Sequence, residues 1–325
     1  MEISLNDLTF IEPVKDHLQL VEDRLHTQAA GYHPAMEAAL GHLLSSGGKR
    51  IRPVLTLLTG GMLGSDPRRL VAMAAAVEML HTATLVHDDL IDGSLVRRGI
   101  PTLNTQWSSA ATVLTGDFLF ARAAKLAAET ESISAMHLFS KTLAIIVDGE
   151  ITQLFGGRGR ANRTDYNRRI YAKTASLFET STTATAIIAD SPEETKEKVR
   201  LFGYEIGMAF QIVDDILDFT SQTEKLGKPV ASDLRQGLIT LPALYYIEAF
   251  PDDQDMANVI EHDPCDEGCL DRLLTAIRES GSIEKAEDEA RLHVARAIDA
   301  LTNLPDCIER LSLIELARYI VNRNI

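Results

Sequence analysis

The chain has 325 residues, 45% hydrophobic and 24% charged, which suits a soluble globular protein of one large domain or two small ones. Its formal net charge of -15 argues against a general nucleic-acid binder, which would show a basic patch, but leaves room for a local basic pocket. Three cysteines, Cys265, Cys269 and Cys307, imply no disulfide framework; Met1 to Asp16 is too polar for a signal peptide; and no run of about 18 apolar residues is seen, so a cytoplasmic protein without a membrane span is expected.

Apolar residues recur at helical rather than alternating spacing along most of the chain. The pattern predicts an all-α fold with helices at about 11–29, 34–45, 48–63, 67–92, 107–130, 133–156, 165–190, 192–219, 235–250, 253–262, 267–280, 283–303 and 311–322. Asp66-Pro67 reads as an N-cap followed by proline at the first helical position. Ser191-Pro-Glu-Glu194 reads as a capping box. Thr164 or Asp165 is expected to open the helix that carries Tyr171, Lys173 and Thr174. Pro251–Gly268 is acidic and reads as a solvated surface excursion. No glycine- or serine-rich linker divides the chain, so residues 1–325 are expected to form a single domain.

The helix predicted at 67–92 ends in Leu85-Val-His-Asp-Asp-Leu-Ile-Asp92. Asp88 and Asp92 are four residues apart, on one helix face, about 6 Å apart along the axis. Asp89 points about 100° away from Asp88. Like charges at this spacing weaken a helix unless a cation lies between them, and a hard divalent ion with oxygen ligands reverses the penalty. The helix predicted at 192–219 repeats the arrangement, with Asp214, Asp215 and Asp218 in Phe210-Gln-Ile-Val-Asp-Asp-Ile-Leu-Asp-Phe219. One copy would suit a solvated or capping cluster. Two copies in apolar helices are hard to explain as surface, because buried carboxylates need paired charges. They suggest a cage for Mg2+ and a polyanion, since Mg2+ uses few carboxylates together with waters and substrate phosphates.

Cations gather in the same regions. Gly47-Gly-Lys-Arg-Ile-Arg-Pro53 sets Lys49 and Arg52 three residues apart at a helix start, where glycine lets a backbone approach an anion and the helix end favours negative charge. The spacing is not that of a Walker A loop. Arg97 and Arg98 follow the first cluster, Lys173-Thr174 lies in a small-residue helix, and Lys228 follows the second cluster.

These motifs, with His81 before the first cluster and Gln211 within the second, run in order from about Gly47 to Leu241, and the chain resembles the trans-isoprenyl diphosphate synthases, the polyprenyl synthetases. The resemblance implies a bundle of long helices around a central cavity, of the isoprenoid synthase type. It implies that Asp88, Asp92 and Asp214 hold Mg2+, three ions per site, on an allylic diphosphate, with Asp89, Asp215 and Asp218 supporting the cage. Arg97, Lys173, Gln211 and Lys228 would contact the allylic substrate, and Gly48, Lys49, Arg52, His81 and Arg98 would hold isopentenyl diphosphate. Thr174 would assist at the reacting carbon, and Asp88, Asp92, Lys173, Thr174 and Asp214 would form the catalytic set. A homodimer is implied as well; a long product would in addition explain loose membrane association at product release. Leu238 stands where some short-chain relatives carry lysine, and no substrate contact is assigned to it.

The growing chain is expected to run from Asp88 toward the start of its helix, past Thr84 and Ala83, then Leu80 and Met79. In the family, bulky aromatics four or five residues before the first aspartate form a floor for short products; here those positions hold Ala83 and Thr84, which favours a product beyond C20. The alternatives are a short-chain farnesyl or geranylgeranyl diphosphate synthase, with a floor set by Met79, Leu80 or the Ile145–Leu154 segment, and a non-catalytic partner subunit of a heteromeric synthase. A class I terpene cyclase is disfavoured, because it carries an Asn/Ser/Glu metal motif in place of the second aspartate cluster and has no second-substrate site.

Overall fold

Asp66 and Pro67 start the helix that carries the first cluster. The Asp66 carboxylate accepts the Arg68 N–H at 2.8 Å, and Pro67, at the first helical position, forfeits no hydrogen bond. Helix α4 then runs Pro67–Ile91. The structure, a computed structural model, describes residues 8–45, 47–97, 99–155, 162–220, 230–261 and 266–322. It divides into two compact units. The first comprises Met1–Leu143, Leu177–Gly203 and Ala300–Leu316, and the second Ala144–Ser176, Tyr204–Asp299 and Ala317–Ile325.

In the first unit α4 packs against α1 (Lys15–His26), α3 (Ile51–Met62), the short α5 (Leu103–Gln106) and α6 (Ser109–Ala128), and α2 (Pro34–Ser45) packs against α1. Residues Leu70 to Val77 of α4 are all buried, as an apolar run surrounded by other helices must be. An 18-residue window of this helix has a mean hydropathy of 1.4, long and apolar enough to cross a membrane, and 78% of it is buried within the fold. Glu78, His81, Thr82 and Thr84 interrupt the window, so it is apolar on average rather than an unbroken apolar run. Burial identifies the segment as a core helix of the unit. α6 approaches α4 at Gly116, where an added Cβ would meet the His87 ring.

The second unit gathers its core around Tyr166, Met208, Ile212, Phe219, Leu244 and Leu273. Helix α8 (Arg163–Ile170) starts earlier than expected, because Asn162 rather than Thr164 or Asp165 is the N-cap and accepts the Asp165 N–H at 2.9 Å. The segment predicted as one helix over 165–190 contains a π turn at Tyr171–Ala175 before α9 (Ser176–Ile188). The predicted 235–250 helix is reduced to Leu241–Ala249, preceded by a single turn at Ser232–Arg235. Gly237, with φ +74°, breaks it, since only glycine enters that region without steric cost. Helix α10 (Glu193–Thr220) carries the second cluster near its C-terminus.

Among the described residues the only sheet is a hairpin of β1 (Val96–Arg97) and β2 (Ile100–Pro101), with Val96 opposite Pro101 and Arg97 opposite Ile100. Cys307 is a free thiol and Cys269 is disulfide-bonded, a pairing that the absence of a disulfide framework in the sequence did not point to.

Within the first unit α10 lies close to α9 at Gly203. A Cβ there would sit 2.7 Å from the Phe178 carbonyl oxygen and 2.9 Å from Glu179 Cα. Because backbone cannot step aside as a flexible side chain does, Gly203→Ala is expected to destabilise the protein by about 1–3 kcal/mol. Chemical denaturation checks this, and a wild-type midpoint would refute the close approach.

Candidate active site

The first aspartate cluster divides into accessible and buried members. Asp88 is partly accessible and Asp92, which closes α4, is exposed; the Asp92 N–H donates to the Asp88 carbonyl at 2.8 Å. Asp89 is 6% exposed. A buried carboxylate needs strong donors, and Asp89 receives the Arg97 fork: Nε lies 3.0 Å from both carboxylate oxygens and Nη2 2.8 Å from Oδ1. The Ser94 N–H donates to the Asp89 carbonyl at 2.9 Å, and Asn104 Nδ2 donates to the same carbonyl and to that of Ser94. The hairpin is thereby tied back to the helix end. The structure places Arg97, expected as a substrate contact, on Asp89. Arg98 lies outside the described residues.

The glycine-rich segment leads into α3 in the same unit. Gly47 has φ +68°, Gly48 is partly exposed and Lys49 is exposed. The Arg52 guanidinium lies over the Phe178 ring, 4.8 Å from its centroid. His81 stands on α4. The accessible residues of that helix near its end include His81, Thr84, Leu85 and Asp88, a spacing that puts them on one face. Of the four residues expected to set chain length, Thr84 is accessible, whereas Met79, Leu80 and Ala83 have no accessible surface.

The second unit holds the remaining candidates. Lys173 is exposed on the π turn, and its Nζ lies 3.0 Å from Glu150 of α7 (Ile133–Phe155). A Cβ added to Gly149, beside Glu150, would stand 2.5 Å from the Ala172 Cβ, so α7 and the π turn are in close contact. Thr174 is buried and donates to Gln211 Oε1 at 2.6 Å; Gln211 Nε2 donates to Asp215 Oδ1 at 2.9 Å; the Tyr166 hydroxyl donates to Asp215 Oδ2 at 2.7 Å. Burial, reinforced by the charge of Asp233, pushes the Asp215 carboxyl up to about 7 against the pull of Gln211 and Tyr166. Burial, with Asp215 second, pushes the Tyr166 hydroxyl well above its usual range.

Asp218 has a different task. It accepts the Ser232 N–H and hydroxyl on Oδ1, and the Asp233 N–H on Oδ2, each at 3.1 Å. It therefore caps the turn that comes after the second cluster. Asp214 is partly accessible, and Leu238 is half-buried with its N–H donating to the Asp233 carbonyl at 2.8 Å. Lys228 lies outside the described residues.

Among the described residues no three carboxylate, histidine or cysteine groups converge into a ready-made metal cage. The donor chemistry nevertheless suits Mg2+, which takes one or two carboxylates and fills its remaining positions with water and phosphate oxygens. Asp88, Asp92 and Asp214 are the accessible hard-oxygen donors of the two clusters, apart from Asp218, whose oxygens already serve the turn. Sequence reasoning missed Arg50, Asn104, Glu150 and Tyr166. Arg50 lies within the glycine-rich motif itself; the other three stand at separations with no helical period from the groups they support, Asn104 on the short α5, Glu150 and Tyr166 on other helices.

Comparison with known proteins gives a consistent result. The profile of the polyprenyl synthetase family matches residues 33–277. The chain is 40% identical over 314 residues to heptaprenyl diphosphate synthase component 2 of Geobacillus stearothermophilus, covering 96% of this chain and 97% of that one. It is 35% identical over 288 residues to octaprenyl diphosphate synthase of Haemophilus influenzae, covering 87% of each. Its fold superposes with a TM-score of 0.90 on the crystal structure of polyprenyl synthase from Caulobacter crescentus complexed with calcium and isoprenyl diphosphate, at 35% identity and covering 99% and 98% of the two chains.

Tyr166→Phe removes one of the two side-chain donors seen on the buried Asp215 carboxyl and is expected to lower stability by about 1–3 kcal/mol. A lower urea midpoint at unchanged slope would confirm this; an unchanged midpoint would show that the hydroxyl is dispensable.

Proposed function

The chain belongs to the polyprenyl synthetase family and is a polyprenyl diphosphate synthase, a prenyltransferase with the isoprenoid synthase fold, and from that premise we propose that it condenses isopentenyl diphosphate with an allylic diphosphate into an all-trans product beyond C20. The observation that carries the long-chain reading is near-full-length similarity to synthases named for heptaprenyl and octaprenyl products. The small residues Ala83 and Thr84 before the first cluster support it.

In this proposal Asp88, Asp92 and Asp214 hold Mg2+, three ions in all, and Lys173 and Gln211 hold the allylic diphosphate, joined by Arg97 and Lys228. The divalent ions, when bound, neutralise the departing diphosphate. Lys173 donates to the diphosphate as charge develops on it, a kind of stabilisation that grows toward the transition state. Thr174, fixed through Gln211, presents its oxygen at the reacting carbon. Gly48, Lys49, Arg52, His81 and Arg98 hold isopentenyl diphosphate so that its double bond reaches the allylic carbon as the C–O bond breaks. The proton then lost from the new chain passes to the diphosphate. Asp89, Asp215 and Asp218 support this arrangement through Arg97, Tyr166 with Gln211, and the Ser232 turn. Homodimeric assembly, a cytoplasmic location and loose membrane contact at product release belong to the same proposal. Because the Geobacillus relative is named as one component of a synthase, a second reading is that a partner protein is needed for full activity.

The test is to incubate purified protein with isopentenyl diphosphate, Mg2+ and C10, C15 or C20 primers separately, then size the dephosphorylated products by mass. Products of C30 or more are expected, with none after chelation of the metal; C15 or C20 products would move the protein to the short-chain class, and no condensation would favour the partner-requiring reading. Asp88→Asn is expected to lower turnover at least about 100-fold, the scale of losing a principal stabiliser of a developing anion. Thr84→Phe should shorten the product at little cost in turnover, because Thr84 is accessible; Ala83→Phe should add a stability loss, because that site is sealed.

A further inference from the structure

Arg50 is the middle cation of Gly47-Gly-Lys-Arg-Ile-Arg-Pro53, and its environment differs from that of Lys49. It is 8% exposed. Its Nη1 donates to Glu78 of α4 at 3.0 Å, and its Nε and Nη2 meet the two carboxylate oxygens of Glu22 of α1 at 2.5 and 3.2 Å. Its backbone is left-handed, φ +46° and ψ +33°, at the N-cap of α3. A non-glycine residue holds such a conformation only where its surroundings over-determine it, and such residues cluster at functional sites. Burial opposes the guanidinium charge, but the Glu78 and Glu22 carboxylates outweigh it and raise its pKa.

Two carboxylates on one guanidinium leave the cluster with no positive charge to offer a diphosphate. The placement of the cluster suggests another role. The isopentenyl diphosphate site proposed above draws Gly48, Lys49 and Arg52 from the segment around the start of α3, and His81 from α4. Glu78 lies one turn before His81 on α4. The Arg50–Glu78 ion pair therefore joins the two elements that supply the site, one residue from Lys49 and one turn from His81, and Glu22 braces the joint from α1.

We propose that Arg50, clamped by Glu22 and Glu78, is a positioning residue for isopentenyl diphosphate, setting Gly48 and Lys49 against His81 without touching the substrate itself. The proposal rests on the functional reading above. It predicts a defect confined to one of the two substrates, since the clamp adjoins Lys49 in the chain and stands one turn from His81, whereas Asp88, the nearest allylic candidate on α4, lies ten residues beyond Glu78.

The experiment compares wild type, Arg50→Lys and Glu22→Gln, with KM for isopentenyl diphosphate and for the allylic primer measured separately, and thermal stability measured on the same samples. Arg50→Lys keeps the charge but loses the fork. The isopentenyl KM is expected to rise about tenfold, equivalent to ~1.4 kcal/mol, with the allylic KM and turnover at saturation close to wild type. Glu22→Gln keeps the Glu78 bond and stays folded if Arg50→Lys does not; its isopentenyl KM is expected to rise about threefold, ~0.7 kcal/mol. A folded Glu22→Gln with wild-type KM values and only a lower melting temperature would make the clamp merely structural and overturn the proposal, as would equal rises in both KM values. Wild-type protein that neither condenses nor binds isopentenyl diphosphate would overturn the functional reading, and this inference with it.

Discussion

Each aspartate cluster in this protein places an accessible carboxylate beside a buried one, and the cost of burying the second shapes its surroundings. A carboxylate out of water is tolerated only with donors of suitable strength. Asp89 and Asp215, at 6% and 3% exposure, meet that demand differently. Asp89 takes a guanidinium, and with it the Arg97 hairpin. Asp215 takes the neutral donors Tyr166 and Gln211, and burial pushes its carboxyl up. In both cases the buried residue fixes the helix end that presents its accessible neighbour, Asp88 or Asp214.

The same demand explains the Thr174–Gln211–Asp215–Tyr166 chain. Its three hydrogen bonds each match a donor to an acceptor, and a connected polar network of this kind holds its members in one geometry. Thr174 is thus placed by a residue of the second aspartate cluster, although 40 positions separate it from Asp214 in the sequence. The π turn at Tyr171–Ala175 adds to this. A widened helical turn shifts the register of the residues beyond it and is often found at functional sites, and here it carries Lys173 and Thr174.

Much of this was legible in the sequence. Asp66-Pro67 opened α4 where capping chemistry placed it, and the long helices arise from their apolar spacing. The two clusters could be recognised because like charges set in apolar helices contradict every local preference. The features that were not legible have a common cause. The hairpin, the π turn and the placement of Arg97 on Asp89 depend on contacts between residues whose separation carries no periodic signal. The sealed surfaces of Ala83, Leu80 and Met79 are of the same kind: spacing places a residue on a helix face, but only the neighbouring helices decide whether that face is open.

α4 draws several of these threads together. Glu78 receives Arg50, His81 stands with the isopentenyl candidates, Thr84 and Leu85 are accessible, and Asp88 and Asp92 end the helix. An α-helix rises 1.5 Å per residue, so His81 and Asp88 are held about 10 Å apart along its axis. The buried flank from Leu70 to Leu80 ties that length to the core of the unit. A rigid ruler of this kind matters for a reaction that repeats on a lengthening chain: the diphosphate groups must return to the same places in every cycle, while the hydrocarbon end moves on. The apolar character that makes α4 resemble a membrane span therefore also supplies the burial that keeps His81 and Asp88 in register.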